Sequence, residues 1–120
     1  MGLRLWTVCI DCTDPHRLAH WWADALGWDV IAEEDGEVVL ATPDRKFPGL
    51  AFLEVPDDKR VKNRLHLDWI PDDQDAEVER LLALGATRVD VGQSPDVSWV
   101  VLADPDGNEF CILTARKGGM

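Results

Sequence analysis

Three polar residues alternate along one predicted strand, at Arg64, His66 and Asp68. Successive side chains of a strand point to opposite faces, so these three share a face that needs water, a partner or a cavity. A carboxylate beside an imidazole can set its tautomer, which suits a hydrogen-bond partner or a general base. His66 is therefore either a ligand-contacting or catalytic residue or a structural histidine that holds its neighbours. An Arg64–Asp68 pair across the same face is a further structural interpretation.

The cysteines offer a second kind of chemistry. Cys111 falls on the same predicted face as His66 and is either a thiol nucleophile or a small apolar residue. Cys9 and Cys12 have the spacing of a C-x-x-C motif. On a strand, however, a spacing of three sends the two thiols to opposite faces, which argues against redox or zinc chemistry. An odd count of three cysteines also predicts no disulfide framework.

The elements that must position these residues occur twice in the same order. In each half a strand leads through an Asp cap to a helix that ends at a Leu-Gly pair, and three strands follow. The βαβββ pattern repeats after about 60 residues, which indicates an internal duplication. We expect one domain over residues 1–120, with module one at 1–55, a charged connector at 56–63 and module two at 64–116. The fold class is therefore α+β, with two paired βαβββ modules whose curved mixed sheets surround a concave pocket and whose helices lie outside.

Alternation also predicts which side chains face that pocket. The predicted pocket residues are Thr7, Phe52, Glu54, Arg64, His66, Asp68, Glu109 and Cys111. Trp6, Leu65 and Trp69 fall on the opposite faces of their strands, so we expect them to pack against the helices. At least one of the remaining tryptophans should supply a flat apolar wall, and these are Trp21, Trp22, Trp28 and Trp99.

The composition limits the partners. The 120 residues carry 12 Lys and Arg against 23 Asp and Glu, a net charge of −11. Nucleic acids and anionic membranes attract positive charge, so neither is expected as a partner, whereas a small organic ligand is. There is no apolar run of about 20 residues and no signal-peptide pattern, which together with the unpaired cysteines predicts a cytoplasmic protein.

The motifs resemble the vicinal oxygen chelate superfamily, which includes glyoxalases, bleomycin-resistance proteins and extradiol dioxygenases. The resemblance rests on the duplicated βαβββ pattern, the start of the fifth strand at His66–Trp69, the helix end at residues 81–86 and the turn at Asp104–Asn108. The run from Asp104 to Cys111 looks most like the actinobacterial glyoxalase-like branch. Nearly the whole chain is covered. Members of this superfamily usually pair, so the resemblance also implies a homodimer.

The resemblance implies positions for a divalent metal as well. The matching positions are Thr7, Phe52, His66 and Cys111, of which only His66 has the residue type that the superfamily uses. We therefore expect no metal and no other cofactor. The predicted function is metal-independent binding or sequestration of an organic ligand in the cavity between the sheets. The alternatives are a glyoxalase-type lyase or isomerase with His66 as catalytic acid or base, and a structural or regulatory dimer with a vestigial pocket.

Overall fold

The computed structural model describes residues 2–115, which form two helices and two four-stranded mixed sheets. The chain divides into two compact units, the first ending at Asp58 and the second beginning at Lys59. The boundary lies inside the predicted connector. Within the described residues, neither helix combines the length and the apolar character that a membrane crossing requires.

The first unit has the order βαβββ. Its sheet has the strand order β1-β4-β3-β2, in which β1 is parallel to β4 and the other neighbours are antiparallel. The elements are β1 (Thr7–Cys12), α1 (Pro15–Leu26), β2 (Asp29–Glu34), β3 (Glu37–Ala41) and β4 (Gly49–Glu54).

The second unit repeats this topology with shorter strands. Its sheet has the order β5-β8-β7-β6, and β5 is again parallel to β8. The elements are β5 (Leu67–Trp69), α2 (Gln74–Leu84), β6 (Thr87–Arg88), β7 (Val100–Ala103) and β8 (Glu109–Ile112). The predicted α+β class with two βαβββ modules is confirmed.

Both helices begin and end as their sequences predict. The Asp14 carboxylate accepts a hydrogen bond from the Arg17 amide at 3.2 Å, with Pro15 at the first helical position. In α2 the Asp73 carboxylate accepts from the Ala76 amide at 3.1 Å. Each helix is followed by a glycine with positive φ, so the local sequence alone determines the helix bounds.

The turn between β7 and β8 is built around one buried side chain. Asp104 is 4% exposed, and its Oδ1 accepts hydrogen bonds from the amides of Asp106 at 3.0 Å and Asn108 at 2.9 Å. Gly107 has a φ of 89°, which a side chain rarely tolerates. The run from Asp104 to Asn108 is therefore a structural turn that delivers β8 in register.

Strand register in the first unit corrects the predicted position of Phe52. Phe52 lies beside Ile10 of β1 and opposite Val38 of β3, and its side chain is fully buried. Thr7 shares the other face with Ala51, because Thr7 pairs with Gly49 and Cys9 pairs with Ala51. Since α1 packs against β3 and β4, the fully buried side chain of Phe52 belongs to the core of this unit. The structure therefore places Phe52 in the core and not on the predicted pocket face.

The structure also corrects the predicted packing of Trp6 and Leu65. They are 67% and 89% exposed, although alternation predicted that both pack against helices. Each lies just before its strand, because β1 begins at Thr7 and β5 begins at Leu67. Alternation applies only where a strand is paired, so it carries no information about these two side chains.

Two histidines of α1, His16 and His20, contact the same carboxylate on β2. The Glu33 carboxylate of β2 lies 2.7 Å from His16 Nδ1 and 3.0 Å from His20 Nε2. The hydrogen bond with Glu33 is the main cause that raises the pKa of His16, and the hydrogen bonds from the two histidines lower the pKa of Glu33. The cluster is exposed and ties α1 to the edge strand β2.

Replacing Phe52 by Ala should lower the free energy of unfolding by about 3–5 kcal/mol, because the change leaves a cavity in the core. Phe47→Ala is the matched control, since Phe47 is 55% exposed in the same unit. We expect it to cost less than about 1 kcal/mol, including its contact with Arg4. Urea unfolding measures both values. Equal losses for the two variants would contradict the core placement of Phe52.

Candidate ligand-binding site

The candidate site lies on one face of the parallel pair β5 and β8. Asp68 is directly opposite Cys111 in this pair, so the two side chains share a face. Period-two alternation within β8 adds Glu109. His66 lies just before β5, and its contact with Asp68 brings it into the same cavity. The parallel register thus brings together four of the residues that the sequence predicted for the pocket.

These four side chains line a cavity of about 430 Å³. Apolar side chains form part of its wall, and the connection between β6 and β7 contributes another part. The lining residues are Lys62, His66, Asp68, Val91, Gly92, Gln93, Trp99, Val101, Glu109, Cys111 and Leu113. The cavity lies entirely within the second unit.

His66 and Asp68 form a close pair in this cavity. The distance from His66 Nδ1 to Asp68 Oδ1 is 2.6 Å, and both side chains are a little over two-fifths exposed. A carboxylate only accepts hydrogen bonds, so the proton of the neutral imidazole lies on Nδ1. The second ring nitrogen, Nε2, is then an acceptor that a ligand can use.

Cys111 is a buried, protonated thiol. Burial raises its pKa to about 11, and the negative charge of Asp68 and a hydrogen bond to that carboxylate act in the same direction. Lys62 acts in the opposite direction and does not compensate. A thiol with this pKa is a poor nucleophile at neutral pH, so the geometry favours the interpretation of Cys111 as a small apolar residue.

Glu109 is held by the segment that leads into the second unit. Its Oε1 accepts from Lys59 Nζ at 2.8 Å and its Oε2 accepts from the Asn63 amide at 3.2 Å. Burial alone raises the pKa of Glu109, but these hydrogen bonds and the Lys59 charge outweigh burial and lower it. Both oxygens are engaged, so Glu109 anchors residues 59–63 and is not a free base.

Trp99 forms a flat apolar wall of the cavity. The sequence predicted that at least one of four tryptophans would do so. Trp99 is 41% exposed and lies at the end of the connection between β6 and β7. Gln74 of α2 fixes this end, because its Nε2 donates to the carbonyl of Ser98 at 2.8 Å and to that of Ile112 at 3.0 Å. The same amide therefore holds the residue before Trp99 and the last residue of β8.

Several lining residues lie outside the predicted pocket set. Lys62 belongs to the charged connector, and Val91, Gly92 and Gln93 belong to an irregular loop. Strand periodicity does not extend into either segment, so no local signal could have found them. The loop is held by its own hydrogen bonds, including one of 2.8 Å from the Val91 amide to Gln93 Oε1.

Four predicted pocket residues are not among those that line this cavity. Arg64 belongs to the second unit but is exposed and outside the lining set. The other three belong to the first unit, where Phe52 is in the core and Thr7 and Glu54 lie on opposite sheet faces. The register also shows that Ala51, not Phe52, is the first-unit equivalent of Cys111, because Cys9–Ala51 and Asp68–Cys111 are matching pairs.

The side chains do not fit the divalent metal that the resemblance implies. The first-unit positions offer a hydroxyl at Thr7 and a methyl group at Ala51. In the second unit the donor atoms of His66, Asp68 and Cys111 lie within 4.8 Å of one another, but hydrogen bonds to Asp68 already engage the imidazole and the thiol. Of the positions that the resemblance implies, only His66 has the residue type that the superfamily uses.

The family model of the glyoxalase-like domain matches residues 7–113. This chain belongs to the glyoxalase-like domain family. The match includes both βαβββ units of this glyoxalase-like domain protein, so the resemblance to glyoxalases that the sequence predicted is confirmed. No curated protein matches the sequence at a significant level.

Solved structures share the fold of this glyoxalase-like domain protein along nearly its full length. A glyoxalase/bleomycin resistance protein/dioxygenase family enzyme from Burkholderia phytofirmans PsJN is 20% identical, with a TM-score of 0.70 over 95% of this chain and 100% of that one. The antibiotic-binding protein TnmS3 from Streptomyces sp. CB03234 is 18% identical, with a TM-score of 0.70 over 97% and 99%. A related protein from Nocardioides is 13% identical, with a TM-score of 0.71 over 99% and 87%. At these identities the similarity establishes the fold alone.

Cys111 should react slowly with thiol reagents. A pKa of about 11 leaves a very small thiolate fraction at pH 7.5, and the side chain is buried. We expect iodoacetamide to modify exposed Cys9 at least about tenfold faster than Cys111, as followed by peptide mass spectrometry. All three cysteines should react in urea, which serves as the control. Equal rates for Cys9 and Cys111 in the folded protein would rule out the protected thiol.

Glu109→Gln should lower the free energy of unfolding by about 1–3 kcal/mol at pH 7, between the values of exposed and fully buried ion pairs. The side chains of Lys59 and Glu109 are 16% and 10% exposed. Because folding lowers the pKa of Glu109, its stabilisation is present above the unfolded pKa and is lost as pH falls through the folded value. The difference between wild type and variant should therefore shrink below about pH 4.5.

Glu79→Gln is the control for this pH series, because Glu79 is an exposed residue of the same unit. We expect it to change the free energy of unfolding by less than about 0.5 kcal/mol. Chemical denaturation at several pH values, from about pH 3 to about pH 7, measures the free energy of unfolding of all three proteins. A loss for Glu109→Gln that stayed constant with pH would contradict the proposed anchoring role of the ionised carboxylate.

Proposed function

We propose that this protein binds a small organic molecule, without a metal, in the cavity of the second unit. The observation that carries the proposal is the cavity itself, which joins the indole of Trp99 to the His66–Asp68 pair. Its volume of about 430 Å³ falls within the range of small-molecule sites. An apolar wall with a few polar groups is also the usual composition of such sites.

A structural neighbour supports binding as the function. TnmS3 is described as an antibiotic-binding protein, and its fold covers 97% of this chain. One scaffold can serve several activities, so this likeness adds to the cavity argument and does not replace it. Binding or sequestration requires only the cavity and its hydrogen-bonding groups.

The donor set supports metal independence. Thr7 and Ala51 provide no strong metal ligand in the first unit. The Cys111 thiol is protonated, because its pKa is raised to about 11 by burial and by Asp68. His66 and Asp68 are then the two remaining ligands of the cluster, which is fewer than the three or four protein ligands that zinc sites use.

A lyase or isomerase of glyoxalase type is the second candidate. The 2.6 Å contact between His66 and Asp68 favours it, because a carboxylate that orients an imidazole prepares its Nε2 to accept a proton. Recovery of the bound molecule separates the two functions. A binder returns it unchanged, whereas the second candidate returns a product whose formation stops in His66→Gln.

The site of action and the assembly state complete the proposal. None of the three cysteines forms a disulfide within the described residues, which supports a reducing compartment such as the cytoplasm. A homodimer is the assembly we propose, and light scattering tests it through the mass of the particle.

Trp99→Ala should weaken ligand binding by at least about tenfold, because it removes the flat wall of the cavity. The probes are naphthoate, naphthamide and naphthylmethylammonium, each titrated calorimetrically to millimolar concentration against metal-free protein. We expect at least one of them to bind with a one-to-one stoichiometry. Trp6→Ala is the matched control, since Trp6 is 67% exposed in the first unit and should leave the dissociation constant unchanged.

Two results would overturn the proposed function. The first is the absence of binding by all three probes. The second is an equal effect of Trp6→Ala and Trp99→Ala, which would mean that the probes do not occupy this cavity. Binding that appears only after zinc is added would instead remove the claim of metal independence.

A further inference from the structure

The charge inside the cavity differs from the charge of the whole chain. The chain carries −11, which by itself suits a cationic ligand. The cavity, however, contains two carboxylates and a lysine, and a second lysine outside the lining pairs with one of the carboxylates. The two lysines therefore balance the two carboxylates at this site.

Both cavity carboxylates already have partners. Glu109 accepts from Lys59 at 2.8 Å and from the Asn63 amide at 3.2 Å. Asp68 accepts from His66 at 2.6 Å and from the Cys111 thiol. An incoming cation would have to displace one of these donors before it could pair with a carboxylate, which costs the hydrogen bond that it replaces.

Lys62 is different, because it lines the same cavity without a counter-ion. Among residues 2–115, its ammonium takes part in no hydrogen bond and no ion pair. Its charge acts on Cys111, a buried residue of the cavity wall. An anion could therefore pair with Lys62 while every existing bond of the site stays in place.

Trp99 and His66 define the rest of the ligand. The Trp99 indole offers a flat surface on which an aromatic ring can stack. His66 Nε2 is an acceptor when Nδ1 donates to Asp68, so a hydroxyl or N–H group of the ligand can donate to it. Lys62, Trp99 and His66 all line the one cavity.

We propose that the ligand is an aromatic carboxylate whose anionic group pairs with Lys62 and whose ring packs on Trp99. This inference rests on the proposed function and names the chemical class of its ligand. It reverses the expectation from net charge, because the local pairing of each charged group determines which ligand charge is favoured. Exposed charges more distant than about 10 Å are largely screened at ordinary salt concentrations.

The test compares the three naphthalene probes, which share one ring system and differ in charge. We expect naphthoate to bind at least about tenfold more tightly than naphthylmethylammonium, with naphthamide between them. Lys62→Met should remove this preference, and Lys62→Arg should retain most of it. Added salt should weaken the binding of naphthoate more than that of naphthamide.

Lys46→Met is the matched control, because it removes one positive charge from a side chain that is 80% exposed in the first unit. It should leave the preference for naphthoate unchanged. Lys62 is exposed, so Lys62→Met should unfold at the wild-type temperature, which shows that the variant is folded.

The outcomes separate this inference from the proposed function. If naphthylmethylammonium binds as tightly as naphthoate, or if Lys62→Met keeps the preference, the ligand class is wrong and the binding function stands. If none of the probes binds the wild-type protein, the proposed function fails and this inference fails with it. A loss of preference in Lys46→Met equal to that in Lys62→Met also overturns the role of Lys62.

Discussion

The parallel pairing of the first and last strands of each unit is the constraint on which the candidate site depends. In the second unit it places Asp68 directly beside Cys111, and alternation along β8 adds Glu109 to the same face. His66 joins them through its contact with Asp68. A shift of β8 by one residue would send Cys111 and Glu109 to the face opposite that of Asp68. The turn around buried Asp104 delivers β8 in this register, so the turn contributes to the site without lining it.

The side chains of the site satisfy one another in two hydrogen-bonded networks, one around Asp68 and one around Glu109. Asp68 orients the imidazole of His66 and accepts from the thiol of Cys111, while Glu109 holds the segment that carries Lys62 into the cavity wall. Such a network specifies one arrangement, because a buried polar group that loses its partner is costly.

Several parts of the fold could be predicted from local sequence. The aspartate caps, the glycines that follow both helices and the Asp104–Asn108 turn each depend on interactions within five or six residues, and the structure contains them all. Face assignments succeeded for Cys9 and Cys12, which are exposed and buried respectively, because both lie within β1. They failed for Trp6 and Leu65, because the paired strands begin after these residues.

The sequence by itself determined the α+β duplication and the helix bounds. It also predicted that His66, Asp68 and Cys111 face one pocket. Only the tertiary structure decided that Ala51 and not Phe52 matches Cys111, since register depends on which residue of a distant strand lies alongside. It also decided that Lys62 lines the cavity and that Glu33 joins the two histidines of α1. These side chains lie in irregular segments or come from elements far apart in the chain, where periodicity carries no signal.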